Sequence, residues 1–307
     1  PCSAATAYSA VVTVCKTAAV RHPKRVLRLA LCVAVAGLGV AVPREAHAAS
    51  LGPVCPTRDL SGNLLPNSGL YQCAAFRNPG PHGSIYVVGD SVLLGSADAY
   101  AAPRPGLGSM LAKAGWGPVM LQATVGMRSW WDLAAHPHER FKRGSAAWMI
   151  DHWQAQGFAP RTIAVNVASN EIGTCTLFTA VRCRLQIEKV LNAAGPGVQV
   201  WWAKGNFVKV GPSSPLWPSY QGTLGWNLAL DQEAKAHANL VVWDWPRALA
   251  NAKPAIATDG YGIHAASRSE YVKRSTLMAA HISTFMPANR AGAALPLPSS
   301  QATGLKF

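Results

Sequence analysis

Short apolar runs alternate with longer segments of helical periodicity along most of the chain. The short runs are rich in β-branched and aromatic residues and predict strands, whereas the longer segments predict helices. The predicted strands are 84–89, 119–125, 162–168, 198–203 and 240–245, and the predicted helices are 106–114, 144–156, 180–194, 223–238 and 268–285. Such alternation is typical of parallel strands joined by helical crossovers. We therefore predict an α/β protein with a mainly parallel, five-stranded sheet in a three-layer α/β/α sandwich.

The beginning of the chain does not share this pattern. A basic cluster from Arg21 to Arg28 precedes an apolar run ending at Val42, and Ala46-His47-Ala48 then matches a signal peptidase site. These features predict a signal peptide over 21–48, within a leader of 1–48. The apolar run of about 14 residues is short for a membrane span. We therefore expect cleavage, a secreted or cell-envelope location, and no stable membrane insertion afterwards.

The rest of the chain divides into three parts. Residues 49–83 are rich in Gly, Pro, Asn and Ser and predict an irregular N-terminal segment. The alternating pattern over 84–286 is long enough for one domain with its own core. Residues 287–307 predict a disordered tail. A Pro, Ser and Gly-rich stretch over 205–222 predicts a long loop that could form the rim of a site.

Four of the seven cysteines lie outside the leader: Cys55, Cys73, Cys175 and Cys183. An even number of cysteines in an exported protein favours two disulfides. Four cysteines allow three pairings, and the one with the shortest loops joins Cys55 to Cys73 and Cys175 to Cys183. A metal site is the competing interpretation. No CxxC pair or His-rich segment supports it, so we expect no metal.

The chain is basic, with a formal net charge of +14. The leader holds six basic residues and one acid, so the remainder carries a formal charge of +9. This charge favours non-specific attraction to anionic polymers or membrane surfaces, although a solvated basic surface is the simpler interpretation. The bases are scattered and accompany no nucleic-acid recognition motif, so nucleic acid is not a predicted partner.

A serine and a histidine stand where acyl-transfer chemistry would need them. Ser91 directly follows the first predicted strand, at the sheet edge where sites of open α/β folds form. A serine hydroxyl needs a neighbouring base to become a nucleophile. His264 lies in a glycine-rich loop before the last predicted helix, whose start is marked by the capping box Ser267 to Glu270. Asp259 in the same loop could orient the imidazole.

Two further strand ends offer hydrogen-bond donors. Gly126 follows the second predicted strand and would leave its backbone N–H accessible, and Asn170 follows the third with a side-chain amide. With the Ser91 N–H, these groups could stabilise the oxyanion of an acyl-transfer transition state.

In this order, Gly89-Asp90-Ser91, Gly126, Asn170 and the late Asp/His loop resemble the SGNH or GDSL-type hydrolases. The resemblance covers about residues 84–285, extends to Asn227, and is closest to the SGNH domains of actinobacterial cell-surface acyltransferases. It implies a flavodoxin-like fold and a Ser/His/Asp mechanism without metal or cofactor. It also implies that Ser91, Gly126 and Asn170 donate to the oxyanion.

The sequence departs from the family at two places. The family usually has its acid three residues before the histidine, where this chain has Tyr261, and Asp259 lies five before. Either the loop bulges and Asp259 still reaches His264, or only a Ser–His dyad remains. The second departure is milder: Ala168-Ser169 precedes Asn170 in place of the usual Gly-Thr.

Several side chains near these segments could contact a substrate. Arg128, Trp130 and Trp131 follow the Gly126 turn, and Trp217 and Trp226 border the long loop. Aromatic faces could stack on a sugar ring, although core packing is the competing explanation for most tryptophans.

The sequence therefore predicts a secreted, monomeric serine esterase or acyl hydrolase that acts on O-acyl groups of glycans or lipids through an acyl-enzyme. One alternative is an O-acyltransferase on envelope glycans, in which a sugar hydroxyl replaces water. Another is a non-catalytic carbohydrate-binding module with the same fold.

Overall fold

The structure is a computed structural model, which describes Cys55 and residues 71–130, 145–158, 160–171, Cys175 and 180–285. The predicted leader (1–48) and tail (287–307) lie outside the described residues, and so does most of the predicted irregular segment before Tyr71.

The described residues form six strands and eight helices. The strands are β1 (Tyr71–Phe76), β2 (Ile85–Gly89), β3 (Val119–Thr124), β4 (Thr162–Asn166), β5 (Gln199–Ala203) and β6 (Leu240–Trp243). The helices are α1 (Ser91–Leu94), α2 (Asp98–Ala101), α3 (Leu107–Lys113), α4 (Ala146–Ala155), α5 (Ala180–Ala194), α6 (Trp217–Ala236), α7 (Trp245–Ala250) and α8 (Arg268–Phe285). All five predicted strands and all five predicted helices are present.

The strands make one sheet in the order β1-β3-β2-β4-β5-β6. Strands β2 to β6 pair in parallel, and β1 pairs antiparallel with β3 at the edge. Counted without β1, the parallel strands follow the order 2-1-3-4-5 of flavodoxin-like folds. The predicted α/β class and mainly parallel sheet are confirmed, and β1 adds a sixth strand.

Strand β1 corrects the expectation of irregular structure over 49–83. Tyr71 pairs with Thr124 and Phe76 with Val119, more than forty residues further along the chain. The strand is half buried and contains Gln72 and two alanines, so its own residues give a weak strand signal. Its pairing comes from long-range contact with β3.

The predicted long loop over 205–222 is also too long. Helix α6 begins at Trp217, and Pro218 lies in its first turn. Proline is favoured there because its missing N–H would have no intrahelical partner. Counting Pro218 as a loop signal placed the helix start six residues late.

Hydrophobic side chains fill both faces of the sheet, as parallel strands with helices on either side require. Along β2, Tyr86 and Val88 face one core cluster, whereas Ile85 and Val87 face the other. Helices α4, α5 and α6 cover the first face, and α1, α3 and α8 cover the second. The predicted three-layer sandwich is therefore confirmed.

Seven tryptophans of the described residues belong to this core: Trp116, Trp153, Trp201, Trp202, Trp226, Trp243 and Trp245. Trp201, Trp202 and Trp226 are fully buried, which excludes Trp226 from a substrate-facing role.

Among the helices in the described ranges, none combines the length and the apolar character needed to cross a membrane.

The four cysteines pair as the shortest-loop alternative has them. Cys55 bonds to Cys73 of β1, and Cys175 bonds to Cys183 of α5. Cys175 and Cys183 are completely buried. The second disulfide therefore ties the chain shortly after Asn170 to the start of a core helix.

Two leucines of α6 allow a matched test of this packing. Leu230 is fully buried, whereas Leu228 is 41% exposed. We expect Leu230→Ala to lower the free energy of unfolding by about 2–5 kcal/mol, because it leaves a cavity in the core. Leu228→Ala should change it by about 0.5 kcal/mol or less. Urea unfolding measures both, and equal effects would contradict the described helix orientation.

Candidate active site

Ser91 is the first residue of α1, and only Asp90 separates it from the end of β2. Asp90 caps the helix, accepting a hydrogen bond from the Val92 N–H to Oδ1 at 2.9 Å. The Ser91 N–H belongs to the first helical turn, where a backbone donor has no intrahelical acceptor. The turn therefore presents both the hydroxyl and this N–H at the carboxyl edge of the sheet.

Ser91, His264 and Asp259 form a continuous hydrogen-bonded line. Ser91 Oγ lies 2.9 Å from His264 Nε2, and His264 Nδ1 lies 2.9 Å from Asp259 Oδ2. The Asp259 carboxylate accepts a hydrogen bond from His264 Nδ1–H, so Nε2 carries no proton and can accept a hydrogen bond from the Ser91 hydroxyl. The structure thus brings together the three side chains that the sequence proposed as nucleophile, base and acid.

The loop around Asp259 explains how an acid five residues before the histidine reaches it. The Asp259 N–H donates to the His264 carbonyl at 2.8 Å, and Thr258 bridges Ala265 as a short antiparallel pair. The Tyr261 and Ile263 N–H groups donate to Asp259 Oδ1. The backbone therefore closes on itself between the two residues, and Asp259 points back at the imidazole.

The same contacts hold Asp259 in its ionised form. Partial burial raises the pKa of Asp259, but hydrogen bonds from His264 and from the Ile263 and His264 backbone outweigh it, so this pKa lies below its ordinary value. At neutral pH the carboxylate is charged and can stabilise a protonated imidazole.

The predicted capping box of the last helix is only half formed. The Glu270 N–H lies 3.4 Å from Ser267 Oγ, as predicted. The Glu270 carboxylate, however, accepts from the Ala257 N–H and from Lys273 Nζ. Glu270 therefore holds Ala257, two residues before Asp259, against α8, the helix that follows the loop.

The segment after β5 supports the other side of the loop. The Asn206 side-chain amide donates to the Gly262 carbonyl, and the Val208 N–H donates to the Tyr261 carbonyl at 2.7 Å. Gly262 has φ = +74°, and a Cβ there would lie 3.0 Å from the Val208 nitrogen. Glycine is thus required for the two backbones to run side by side. Asn227 of α6 anchors the segment through two hydrogen bonds to Gly205.

Gly126 and Asn170 lie at the same sheet edge as Ser91. In the register, Gly89 of β2 pairs with Ala123 of β3 and with Asn166 of β4. Gly126 has φ = +80°, and no heavy atom lies within 4 Å of where a Cβ would stand. Asn170 Nδ2 donates one hydrogen to the Met127 carbonyl at 3.0 Å, which leaves its second N–H for another acceptor.

Asp90 connects the turn between β2 and α1, which carries Ser91, to the loop after β4, which carries Asn170. It is fully buried, and its Oδ2 accepts from the Ser169 hydroxyl at 2.7 Å and from the Ala168 and Ser169 N–H groups at 3.3–3.4 Å. Burial raises the pKa of Asp90, and these hydrogen bonds oppose the shift. Ser169, one of the departures from the family pattern, therefore supplies the hydroxyl that Asp90 binds.

Sequence reasoning missed Arg274, a fully buried cation of α8. Its guanidinium donates to the Val92 carbonyl, to Ser96 Oγ at 3.1 Å and to Asn166 Oδ1 at 2.6 Å. Burial lowers the pKa of Arg274 to about 10, so the side chain remains charged at neutral pH. The available signal was its spacing, since Arg274 lies between Tyr271 and Met278 on the core-facing side of the helix.

The three residues that the sequence proposes as substrate contacts, Arg128, Trp130 and Trp131, differ in their exposure and in whether the structure describes them. Trp130 is 41% exposed in the loop after β3, and Lys189 Nζ lies 5.8 Å from the centre of its ring. Arg128 lies in the same loop and is half-buried. Trp131 lies outside the described residues. Within the described ranges, no group of three or more His, Cys, Asp or Glu side chains could hold a metal ion.

The Arg274 contacts can be tested by unfolding. We expect Arg274→Met to lower the free energy of unfolding by about 2–4 kcal/mol, because it removes donors from buried Asn166 and Ser96 and leaves Asp90 without its nearby positive charge. Arg247→Met replaces an exposed arginine of α7 and should cost about 0.5 kcal/mol or less. Equal stability of the two variants would show that the buried contacts contribute little.

Comparisons with known proteins give likenesses in structure. The C-terminal catalytic domain of peptidoglycan O-acetyltransferase A from Streptococcus pneumoniae is 12% identical, covering 66% of this chain and 93% of that one, with a TM-score of 0.44. A member of the lipolytic protein G-D-S-L family from Veillonella parvula is 16% identical, covering 66% and 99%, with a TM-score of 0.44. A carbohydrate acetylesterase from Sinorhizobium meliloti is 15% identical, covering 66% and 98%, with a TM-score of 0.42.

No protein-family model matches the chain, and no curated protein matches it in sequence. The order of the parallel strands confirms the flavodoxin-like fold that the resemblance to the SGNH/GDSL-type hydrolases implies.

Proposed function

We propose that this protein is a secreted serine hydrolase of the SGNH type that cleaves carboxylic esters, the O-acyl groups of glycans or lipids, through an acyl-enzyme. The observation that supports this most directly is the line from Ser91 Oγ through His264 to Asp259, with 2.9 Å at each contact. Hydroxyl, imidazole and carboxylate in this order are what nucleophilic acyl transfer requires.

In the first half of the reaction, Ser91 Oγ attacks the ester carbonyl carbon while His264 Nε2 takes the hydroxyl proton. The carbon–oxygen bond to the alcohol then breaks, and His264 returns that proton to the leaving oxygen. Asp259 stabilises the imidazolium between these two steps. The products are a free alcohol and an acylated Ser91.

In the second half, water takes the place of the alcohol. His264 removes a proton from water as it attacks the acyl carbon, and then gives the proton to Ser91 Oγ. During both halves, the carbonyl oxygen becomes negatively charged. The Ser91 N–H, the Gly126 N–H and the second hydrogen of the Asn170 amide are the proposed donors to it.

Transfer to a sugar hydroxyl is the second candidate, because it uses the same acyl-enzyme. The His264 side chain is 38% exposed, so an acceptor larger than water has access to the base. The non-catalytic alternative drew on the displaced position of Asp259. That reason no longer holds, because Asp259 contacts His264.

Secretion and a monomeric state are part of the proposal. The leader pattern and the two disulfides support an oxidising, extracellular or cell-envelope location. Such a location would place the enzyme beside esterified glycans or lipids.

The nucleophile assignment predicts the effect of Ser91→Ala. Turnover of p-nitrophenyl acetate and butyrate should fall by about a thousandfold or more, because no acyl-enzyme can form. Ser213→Ala changes an exposed serine of the loop after β5 and should keep wild-type turnover. Equal rates in wild type and Ser91→Ala would rule out Ser91 as the nucleophile.

The acid assignment predicts the effect of Asp259→Asn. Asparagine preserves the size but cannot compensate the imidazolium charge, so kcat should fall by about a hundredfold or more with a smaller change in KM. Asp244→Asn is the matched control: Asp244 is exposed and caps α7, and asparagine caps a helix about equally well. Unchanged kcat in Asp259→Asn would mean that Ser91 and His264 act as a dyad.

A further inference from the structure

An aromatic pair, the exposed Tyr261 and the half-buried Phe207, lies on the histidine side of the candidate active site. Tyr261 is 52% exposed, although it stands inside the loop that holds Asp259 and His264. Its ring centre lies 6.4 Å from that of Phe207, with the two planes tilted by 42°. Contiguous exposed apolar surface marks ligand-binding grooves, and two adjacent rings are a candidate for such a surface.

This pair is held in place by its backbone. The Tyr261 N–H donates to Asp259 Oδ1 at 3.1 Å, and its carbonyl accepts from the Val208 N–H at 2.7 Å. The Asn206 amide binds the next carbonyl, that of Gly262. Both aromatic residues therefore stand on backbone fixed to the candidate acid and base, which gives a prepared surface at a low entropic cost.

The chemistry of the ester decides which part of a substrate meets this surface. His264 must reach the leaving oxygen to protonate it, so the alcohol lies on the imidazole side of the reacting carbon. The carbonyl oxygen points toward the donors at Ser91, Gly126 and Asn170 on the neighbouring strand ends. Tyr261 lies within the His264 loop and Phe207 packs beside it, so both residues are on the imidazole side, from which the alcohol departs.

We infer that Tyr261 and Phe207 form a subsite for the alcohol part of the ester, and that this alcohol is a sugar ring. This inference rests on the proposed function and names its substrate class. The exposed Tyr261 ring offers one flat face to a sugar ring beside the half-buried Phe207, and the tyrosine hydroxyl can hydrogen-bond to sugar hydroxyls. An alkyl alcohol would gain more from an enclosed apolar groove than from this open rim.

The test uses the partition of one acyl-enzyme between two acceptors. An acceptor alcohol occupies the space from which the leaving alcohol departs, because deacylation reverses acylation. The protein is acylated with p-nitrophenyl acetate in the presence of methyl α-D-glucopyranoside, and the ratio of acetylated glucoside to free acetate is measured. Since both products come from the same intermediate, the ratio does not depend on how much protein is folded or how fast it is acylated.

We expect Tyr261→Ala and Phe207→Ala each to lower this ratio by about two- to tenfold, the size of one aromatic contact. Tyr261→Phe keeps the ring and should stay within about twofold of wild type. Phe285→Ala is the control, because Phe285 is equally exposed, at 54%, but lies at the far end of α8, about 25 Å along the helix from its start near His264.

Three results would overturn the inference. The first is an unchanged ratio in Tyr261→Ala, and the second is an equal fall in transfer to 1-propanol, which would show a general effect on the His264 loop. The third is wild-type protein that transfers acetate to 1-propanol but not to the glucoside. If wild type releases no more p-nitrophenol than Ser91→Ala, the proposed function fails as well, so the two failures are distinguishable.

Discussion

The contact between Ser91 and His264 joins two residues 173 positions apart, and the proposed chemistry depends on how that contact is held. A hydrogen bond between two side chains contributes only about 1 kcal/mol, which is too little to hold the two backbone segments that carry these side chains at the right distance. The rest of the structure must therefore bring the two backbones together before the side chains meet. Three sets of contacts do so, from the sheet, from the last helix and from the segment after β5.

Buried charges make two of these sets. Asp90, in the turn between β2 and α1, accepts a hydrogen bond from Ser169 in the loop after β4. Arg274 of α8, ten residues after His264, donates to the Val92 carbonyl at the start of α1, directly after this turn. A buried charge is costly unless its hydrogen bonds are satisfied, and both groups make several. At the end of β4, Asn166 Oδ1 accepts a hydrogen bond from Arg274, and the Asn166 backbone carbonyl accepts one from the Asp90 N–H. Thus the strand end, the nucleophile turn and the histidine-bearing end of the chain share one polar network.

The sequence was sufficient for the parts of the fold that repeat a local pattern. The continuous apolar strands and the helices between them are visible because burial on both faces of a parallel sheet leaves little room for polar residues. Ser91, His264 and Asp259 could be proposed because each follows a predicted strand or precedes a predicted helix. Their distances could not, since the acid was displaced by two positions and only the closed turn between Asp259 and His264 resolves its reach.

The missed features are those whose cause lies far away in the sequence. Strand β1 is stabilised by pairing with β3 and not by its own composition. Arg274 has the position of a core residue but a polar identity, and only the three acceptors around its guanidinium account for it. Tyr261 drew attention only as a missing acid. Its neighbour Phe207 belongs to a segment fifty-four residues earlier, so no local pattern could have paired the two rings.

The displaced acid and the aromatic rim are connected by geometry. If the acid stood three residues before His264, its carboxylate would occupy position 261 and point at the imidazole. Because Asp259 is the acid, the side chain at position 261 takes no part in the hydrogen bonds between Ser91, His264 and Asp259. The Tyr261 side chain is therefore exposed to solvent. The same turn that lets Asp259 reach the imidazole holds the Tyr261 backbone through Asp259 Oδ1. The acid at position 259 thus keeps its contact with the imidazole and leaves the side chain of Tyr261 exposed, so that the proposed acid and base and the inferred alcohol subsite belong to a single loop.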